Sequence, residues 1–121
     1  QDKQGIEAVL LKFDLKAKRE QSIQTLSDGE WMRVRMARLF YHQPSVILMD
    51  EPSAHLDFEY KIGWEGWVKE LQTLGSTIIC ATHDLQWASE AAHKVWWIQD
   101  DQLIEMQHPH FHPHILIKKD K

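Results

Sequence analysis

The chain is 121 residues long, 43% hydrophobic and 26% charged, with a formal net charge of −4 and a pI near 6.0. That length suits one domain or part of one and can bury a core without staples, and the acidic balance offers no basic face for nucleic acid. The single cysteine, Cys80, rules out an internal disulfide framework and suits a reducing compartment; no apolar run nears the roughly 20 residues that cross a bilayer, so a membrane role has to run through a partner.

The sequence opens at Gln1, without Met or a visible signal-peptide pattern, and enters helical sequence at once. A recombinant piece or an incomplete reading frame is expected here in preference to natural processing. Ile6, Val9, Leu10 and Phe13 recur at i, i+3, i+4 and i+7, which predicts an amphipathic helix over 4–13. The polar stretch from Lys16 to Thr25 reads as a connector with little core. Ser27 opens a second helix, because Ser27 and Glu30 have capping-box spacing, and that helix runs to about Tyr41 and stops before Pro44.

Ser45 to Met49 is an apolar run too short for a helix and reads as a strand buried on both faces, ended by Asp50-Glu51-Pro52. Trp64, Trp67, Val68, Leu71 and Leu74 carry helical spacing within 58–74, and Gly75 is a natural stop. Thr77 to Ala81 is a second strand, β-branched at Thr77, Ile78 and Ile79, that leads into Thr82-His83-Asp84. Strand, helix, strand in this order predicts a right-handed parallel crossover with both strand ends on one sheet edge, where ligands of open parallel sheets bind. Asp50, Glu51 and His83 are then expected to converge. Leu85, Ala88, Ala91 and Ala92 predict a further helix. Val95–Ile98 and Leu103–Met106, split around Asp100-Asp101, predict a hairpin in which the adjacent Trp96 and Trp97 face opposite ways.

Three groups of residues could carry chemistry. The start of the Ser27 helix leaves backbone N–H groups unpaired and partly positive, and Gly29 lets an anion approach the backbone, although Asp28 sets a negative charge beside it; a plain capped helix is the simpler reading of that segment alone. Of the two adjacent carboxylates, Asp50 and Glu51, one suits helping to hold Mg²⁺, directly or through water, and the other suits orienting or deprotonating a water for in-line attack on a phosphoryl group. His83 suits a hydrogen bond to a terminal phosphate or to that water. In the tail, His108, His110, His112 and His114 alternate with Pro109, Phe111 and Pro113. An extended tail would set the four imidazoles on one side, as a transition-metal site needs, but a solvated polar tail is the simpler reading.

At these residues the sequence resembles a family. Leu26-Ser27-Asp28-Gly29-Glu30 resembles the signature motif of ATP-binding-cassette (ABC) ATPases, usually written LSGGQ, and Val46–Glu51 resembles their Walker B strand with its catalytic glutamate. Ser53-Ala54-His55-Leu56-Asp57 looks like the D-loop, and Thr82-His83-Asp84 like the switch-histidine segment. The resemblance covers roughly residues 5–107. It implies an α/β fold, a partial P-loop NTPase core with parallel strands and part of the helical signature subdomain. Residues 1–44 would belong to that subdomain, 45–107 to the ATPase core, and 108–121 to a flexible tail.

By resemblance, the cofactors are ATP and Mg²⁺, with Asp50 at the metal, Glu51 as general base and His83 at the γ-phosphate. Ser27, Asp28, Gly29 and Glu30 would act in trans on nucleotide held by a second ATPase subunit in a head-to-tail dimer, and Asp57 would communicate across that interface. A transmembrane permease would be the membrane partner, with the subunit peripheral on the cytoplasmic face of the inner or plasma membrane and no nucleic acid involved. The variant LSDGE, with Leu56-Asp57-Phe58 after the strand, is similar to importers of iron chelates, haem or cobalamin.

One motif of the family does not occur in the sequence: none of the five glycines belongs to a G-x-x-x-x-G-K-[ST] phosphate loop. The resemblance is therefore to the C-terminal half of the domain, and the 121 residues alone are expected to be inactive. The family's phosphate-loop strand would lie between the strand leading to His83 and the one near Trp96, so its absence is expected to leave exposed sheet edges and a marginally stable chain. Two other functions fit parts of the pattern. One is a non-catalytic module that offers its signature helix to a partner's ATP. The other, more remote, is the C-terminal lobe of an ABC-type DNA-repair or chromosome ATPase, which would show a long heptad coiled coil that residues 1–20 lack.

Overall fold

A computed structural model describes residues 2–106, in the order α1 (Lys3–Lys12), α2 (Asp28–His42), β1 (Val46–Asp50), α3 (Phe58–Thr73), β2 (Thr77–Ala81), α4 (Leu85–Ala91), β3 (Val95–Gln99) and β4 (Gln102–Met106). The histidines of the tail, His108, His110, His112 and His114, lie outside the described residues. The chain divides after Cys80 into two compact units.

In the first unit the helical segments have local reasons to start and stop. The Asp2 carboxylate accepts the Gly5 N–H at 2.9 Å and caps α1; Ser27 Oγ accepts the Glu30 N–H at 3.1 Å and caps α2; Asp57 Oδ1 accepts the Tyr60 N–H at 3.1 Å and caps α3. Each such cap stabilises its helix by about 1 kcal/mol. The α2 helix ends on Gln43 in left-handed backbone, φ 44°, whose N–H returns to the Leu39 carbonyl, and Pro44 forbids continuation. The connector forms two short 3₁₀ turns, Lys16–Lys18 and Ile23–Thr25, with no buried residue.

The core of this unit is a layer of side chains drawn from several segments. Met32, Met36, Ala37 and Phe40 face it from α2, Trp64, Val68 and Leu71 from α3, and Ile47 from β1. No residue of α1 itself is buried; the expected apolar face delivers Phe13 and Leu15, just beyond its end, as the deeply buried groups. The Phe13 ring lies 5.2 Å from that of Phe40 and 4.7 Å from that of Trp67, edge-on to the latter, a geometry that adds to simple area burial.

Strands β1 and β2 pair side by side. The Thr77 N–H donates to the Ser45 carbonyl at 2.8 Å and Ser76 Oγ to the Pro44 carbonyl at 2.8 Å, so the two strands begin together and run parallel. The expectation of a β1 buried on both faces is corrected. Ile47 is buried, but Val46 and Leu48 on the other face are 55% and 75% exposed, and Ile79 of β2 is 49% exposed. An apolar run specifies that both faces can be covered, not that described residues cover them.

The second unit holds α4, capped by Asp84, whose carboxylate accepts the Trp87 N–H at 3.0 Å, with Trp87 buried. Strands β3 and β4 form an antiparallel hairpin in which Ile98 faces Leu103 and Gln99 faces Gln102. Its two-residue turn, Asp100-Asp101, has φ of 49° and 59°, the double positive φ of a type I′ turn, which matches strand twist and tolerates Asp. Trp96 is half exposed while Trp97 is less so, as alternation requires. No described helix is long and apolar enough to cross a membrane.

Gly66 lies within α3, is exposed, and a methyl group there would meet nothing within 4 Å. Gly66→Ala is expected to stabilise the chain by about 1 kcal/mol through helix propensity. Leu71, fully buried, is expected to cost about 2–5 kcal/mol when truncated to Ala. Urea midpoints measured on the two variants check both signs; a Gly66→Ala midpoint below that of the parent contradicts the placement of α3.

Candidate functional site

Two clusters of candidate residues occur in the first unit. At the end of β1, Asp50 is exposed and Glu51 partly buried, and Glu51 sits in left-handed backbone with φ 43°. For a residue with a side chain that conformation is uncommon and is tolerated where the surroundings impose it, often at functional sites. The turn after it is locally bonded, the Ala54 N–H to the Glu51 carbonyl at 3.3 Å and the Leu56 N–H to the Ser53 carbonyl at 3.2 Å. Within that segment Ser53 and Leu56 are partly buried, Ala54 and His55 exposed, and Asp57 serves as the α3 cap.

Cys80, near the end of β2, reports on the same edge. Its thiol is pushed up to about 11, first by burial and then by the negative charges of Glu51 and Asp50. Both carboxylates therefore project their field onto the neighbouring strand end, as parallel pairing of β1 with β2 requires. Nothing in the sequence pattern singled Cys80 out; its place near the strand end is the only available signal. Asp50 also borders a groove of about 460 Å³ between α2 and β1, lined by Met36, Leu39, Ile47 and Trp64 among others.

The second cluster is the start of α2. Ser27 and Asp28 are exposed, Gly29 is buried and Glu30 is partly buried. Asp28 is helical and makes no use of the left-handed backbone that Asp tolerates. Burial acts to raise the Glu30 carboxyl, but hydrogen bonding from Ser27 and the Lys18 ammonium at 3.3 Å outweigh it and hold the group below its ordinary 4.5. Lys18, which the sequence reading passed over, offsets one of the two carboxylates that would oppose an anion there. Gly29 has a packing reason as well as a chemical one: a Cβ on it would fall 2.6 Å from Cζ of Tyr60. Tyr60 is a second residue that sequence reasoning missed.

His83 belongs to the second unit, where its carbonyl accepts the Leu85 N–H at 3.0 Å while the Asp84 N–H donates to Thr82 Oγ1 at 3.0 Å. The segment Thr82-His83-Asp84 is thus a bonded turn that starts α4, and β2 reaches it directly. Among the described residues there is no group of three or more His, Cys, Asp or Glu side chains able to hold a metal by themselves.

A carboxylate field on Cys80 predicts its chemistry. Thiolate is the alkylating form, so the pH profile of Cys80 alkylation by iodoacetamide in the folded chain should have its midpoint near 11. Glu51→Gln removes a negative neighbour and should move the midpoint down, though not to the ordinary 9.0, because burial remains. A profile that does not respond to Glu51→Gln contradicts the shared strand edge.

The chain is similar in sequence and in fold to known proteins. A family model described as ABC transporter matches residues 1–54, from α1 through the Asp50-Glu51 turn. The arginine transport ATP-binding protein ArtP of Haemophilus influenzae is 38% identical over 81 residues, covering 67% of this chain and 33% of that protein. A protein of Streptococcus mutans described as an ABC transporter ATP-binding protein is 36% identical over 91 residues, covering 75% of this chain and 16% of its own length. The chain thus spans a third or less of these curated relatives. Among solved structures, an inward-facing ABC transporter described as of metal-chelate type superposes with a TM-score of 0.73 at 20% identity, covering 86% of this chain and 42% of that one. An ATP-binding cassette of an ABC transporter in its ADP conformation gives 0.70 at 24% identity, covering 86% and 41%. Sequence and fold together show that the chain carries part of an ABC transporter ATPase domain.

Proposed function

We propose that this chain is the C-terminal part of an ATP-binding and ATP-hydrolysing subunit of an ABC transporter. The observation that carries the reading is the end of β1, where a parallel strand delivers Asp50 and Glu51 to the sheet edge with Glu51 in left-handed backbone. In this reading Glu51 is the general base that takes the proton of the attacking water, and His83 contacts the γ-phosphate. Mg²⁺ in nucleotide sites takes one or two carboxylates and fills its shell with water and phosphate oxygens. Asp50, with no third ligand near it among the described residues, fits that lean donor set. When bound, the metal neutralises phosphate charge.

Ser27, Gly29 and Glu30 serve a different nucleotide, held by a second subunit in a head-to-tail dimer, and Asp57 lies on the way between the two sites. A permease is the membrane partner, which places the subunit at the cytoplasmic face of the membrane. The exposed apolar faces of β1 and β2 support a further segment bearing the phosphate loop, which would cover them. For cargo, LSDGE and the likeness to a metal-chelate transporter favour an iron chelate, haem or cobalamin, while the arginine transport relative favours an amino acid. We adopt the iron-chelate class.

A second reading rests on one observation, that no G-x-x-x-x-G-K-[ST] occurs in the 121 residues. Here the chain is a non-catalytic module that lends the Ser27 helix to a partner's ATP. Phosphate release by the assembled transporter separates the two. In a subunit carrying this chain with a phosphate loop, Glu51→Gln is expected to lower turnover by about 10²–10⁴-fold while nucleotide still binds, the usual weight of a general base. Turnover unchanged by Glu51→Gln but lowered by Ser27→Ala favours the module. The 121-residue chain alone should release no phosphate, because the phosphate loop supplies most of the grip on nucleotide.

A further inference from the structure

We propose that Tyr60 is a positioning residue that fixes the Ser27–Glu30 turn to the segment following Asp50 and Glu51, so that the two nucleotide-facing parts of this chain move as one piece. The proposal rests on the reading that Ser27 and Gly29 meet a nucleotide.

The contact is unusually close. A Cβ on Gly29 would lie 2.6 Å from Tyr60 Cζ and 2.8 Å from both Cε1 and Cε2, so the ring occupies the place a side chain would take. Gly29 is buried although Ser27 and Asp28 beside it are exposed. Bare backbone at this position is therefore required by an aromatic ring on one side, whatever approaches from the other.

Tyr60 as a whole stays 37% exposed, and its backbone is held in place. The Tyr60 N–H donates to Asp57 Oδ1 at 3.1 Å, and the Glu30 N–H donates to Ser27 Oγ at 3.1 Å. Two capped helix starts thus meet through one ring. From Asp57 the bonded turns lead back through Leu56–Ser53 to Ala54–Glu51. This gives a chain of bonded turns from the Glu51 carbonyl to Asp57, and from there through Tyr60 to the Ser27 turn. Tyrosine suits the role because a large rigid ring loses little side-chain entropy when it is held.

The reach of the ring, not its hydroxyl, carries the argument. Tyr60→Phe should therefore behave as the parent, whereas Tyr60→Ala and Tyr60→Leu leave the turn unsupported. In the assembled subunit carrying this chain and a phosphate loop, both of these variants are expected to lower kcat for ATP roughly tenfold at an unchanged KM, since misplacement of a contact acts on turnover. A role in packing alone would lower the melting temperature and leave kcat per folded subunit as it was.

A double-mutant cycle on the 121-residue chain gives a readout independent of turnover. Gly29→Ala should lower the urea midpoint in the parent, and the loss should largely disappear in the Tyr60→Ala background, where the clash is relieved. Additive midpoint shifts, or an unaltered kcat in both Tyr60→Ala and Tyr60→Leu when Ser27→Ala lowers it, overturn the proposal. Turnover indifferent to Ser27→Ala overturns the signature reading itself, and the role of Tyr60 falls with it.

Discussion

The parallel pairing of β1 with β2 through the α3 crossover is the constraint on which the first unit depends. Because α2 runs into β1 through a short link and α3 leaves from its end, the starts of α2 and α3 both lie toward the edge where β1 finishes. The Ser45–Thr77 and Pro44–Ser76 hydrogen bonds lock the opposite ends of the strands together. With the beginnings fixed, the carboxylates of Asp50 and Glu51 have to emerge beside Cys80, and the rise of its thiol to about 11 is the electrostatic trace of that arrangement. The buried face of α3, with Trp64, Val68 and Leu71, holds the crossover against the layer formed by Phe13, Met36 and Phe40.

In the proposed reading, that arrangement lets one short chain carry parts of two sites. A strand end is a good place for a base, because the hydrogen-bonded strand behind it fixes where the carboxylate stands. A capped helix start is a good place to meet an anion, because its N–H groups converge. Here the helix start is furnished with Asp28 and Glu30, which oppose an anion, and Lys18 sits against Glu30 to offset part of that charge. In the proposed reading, that balance suits a turn that meets nucleotide already neutralised by another subunit's own groups.

Much of this was legible in the sequence because local physics wrote it there. Ser27 and Glu30 announce the α2 cap, Pro44 its end, Asp100-Asp101 the hairpin turn, and the β-branched run at Thr77 the second strand. The adjacent carboxylates were visible as a pair, and the backbone strain at Glu51 was not, since no residue type signals it. The seat of Tyr60 on Gly29 was invisible for another reason. It joins segments far apart in the chain, and a glycine in a motif reads equally as room for a ligand or room for a ring. The exposed face of β1 was misjudged because Val46 and Leu48 reveal only that they are apolar, while what covers them is decided by tertiary structure.

The central claim is that Glu51 and Ser27 of one chain serve different nucleotides. Mixing two inactive subunits tests it, one carrying Ser27→Ala and the other Glu51→Gln, each with a phosphate loop and assembled with the same permease. If the sites are shared head to tail, a mixed dimer contains one site with an intact base from one subunit and an intact signature turn from the other, and phosphate release rises well above that of either variant alone. If Glu51 and Ser27 act on the same nucleotide within one subunit, every site in the mixture stays defective and no release is regained, which contradicts the account.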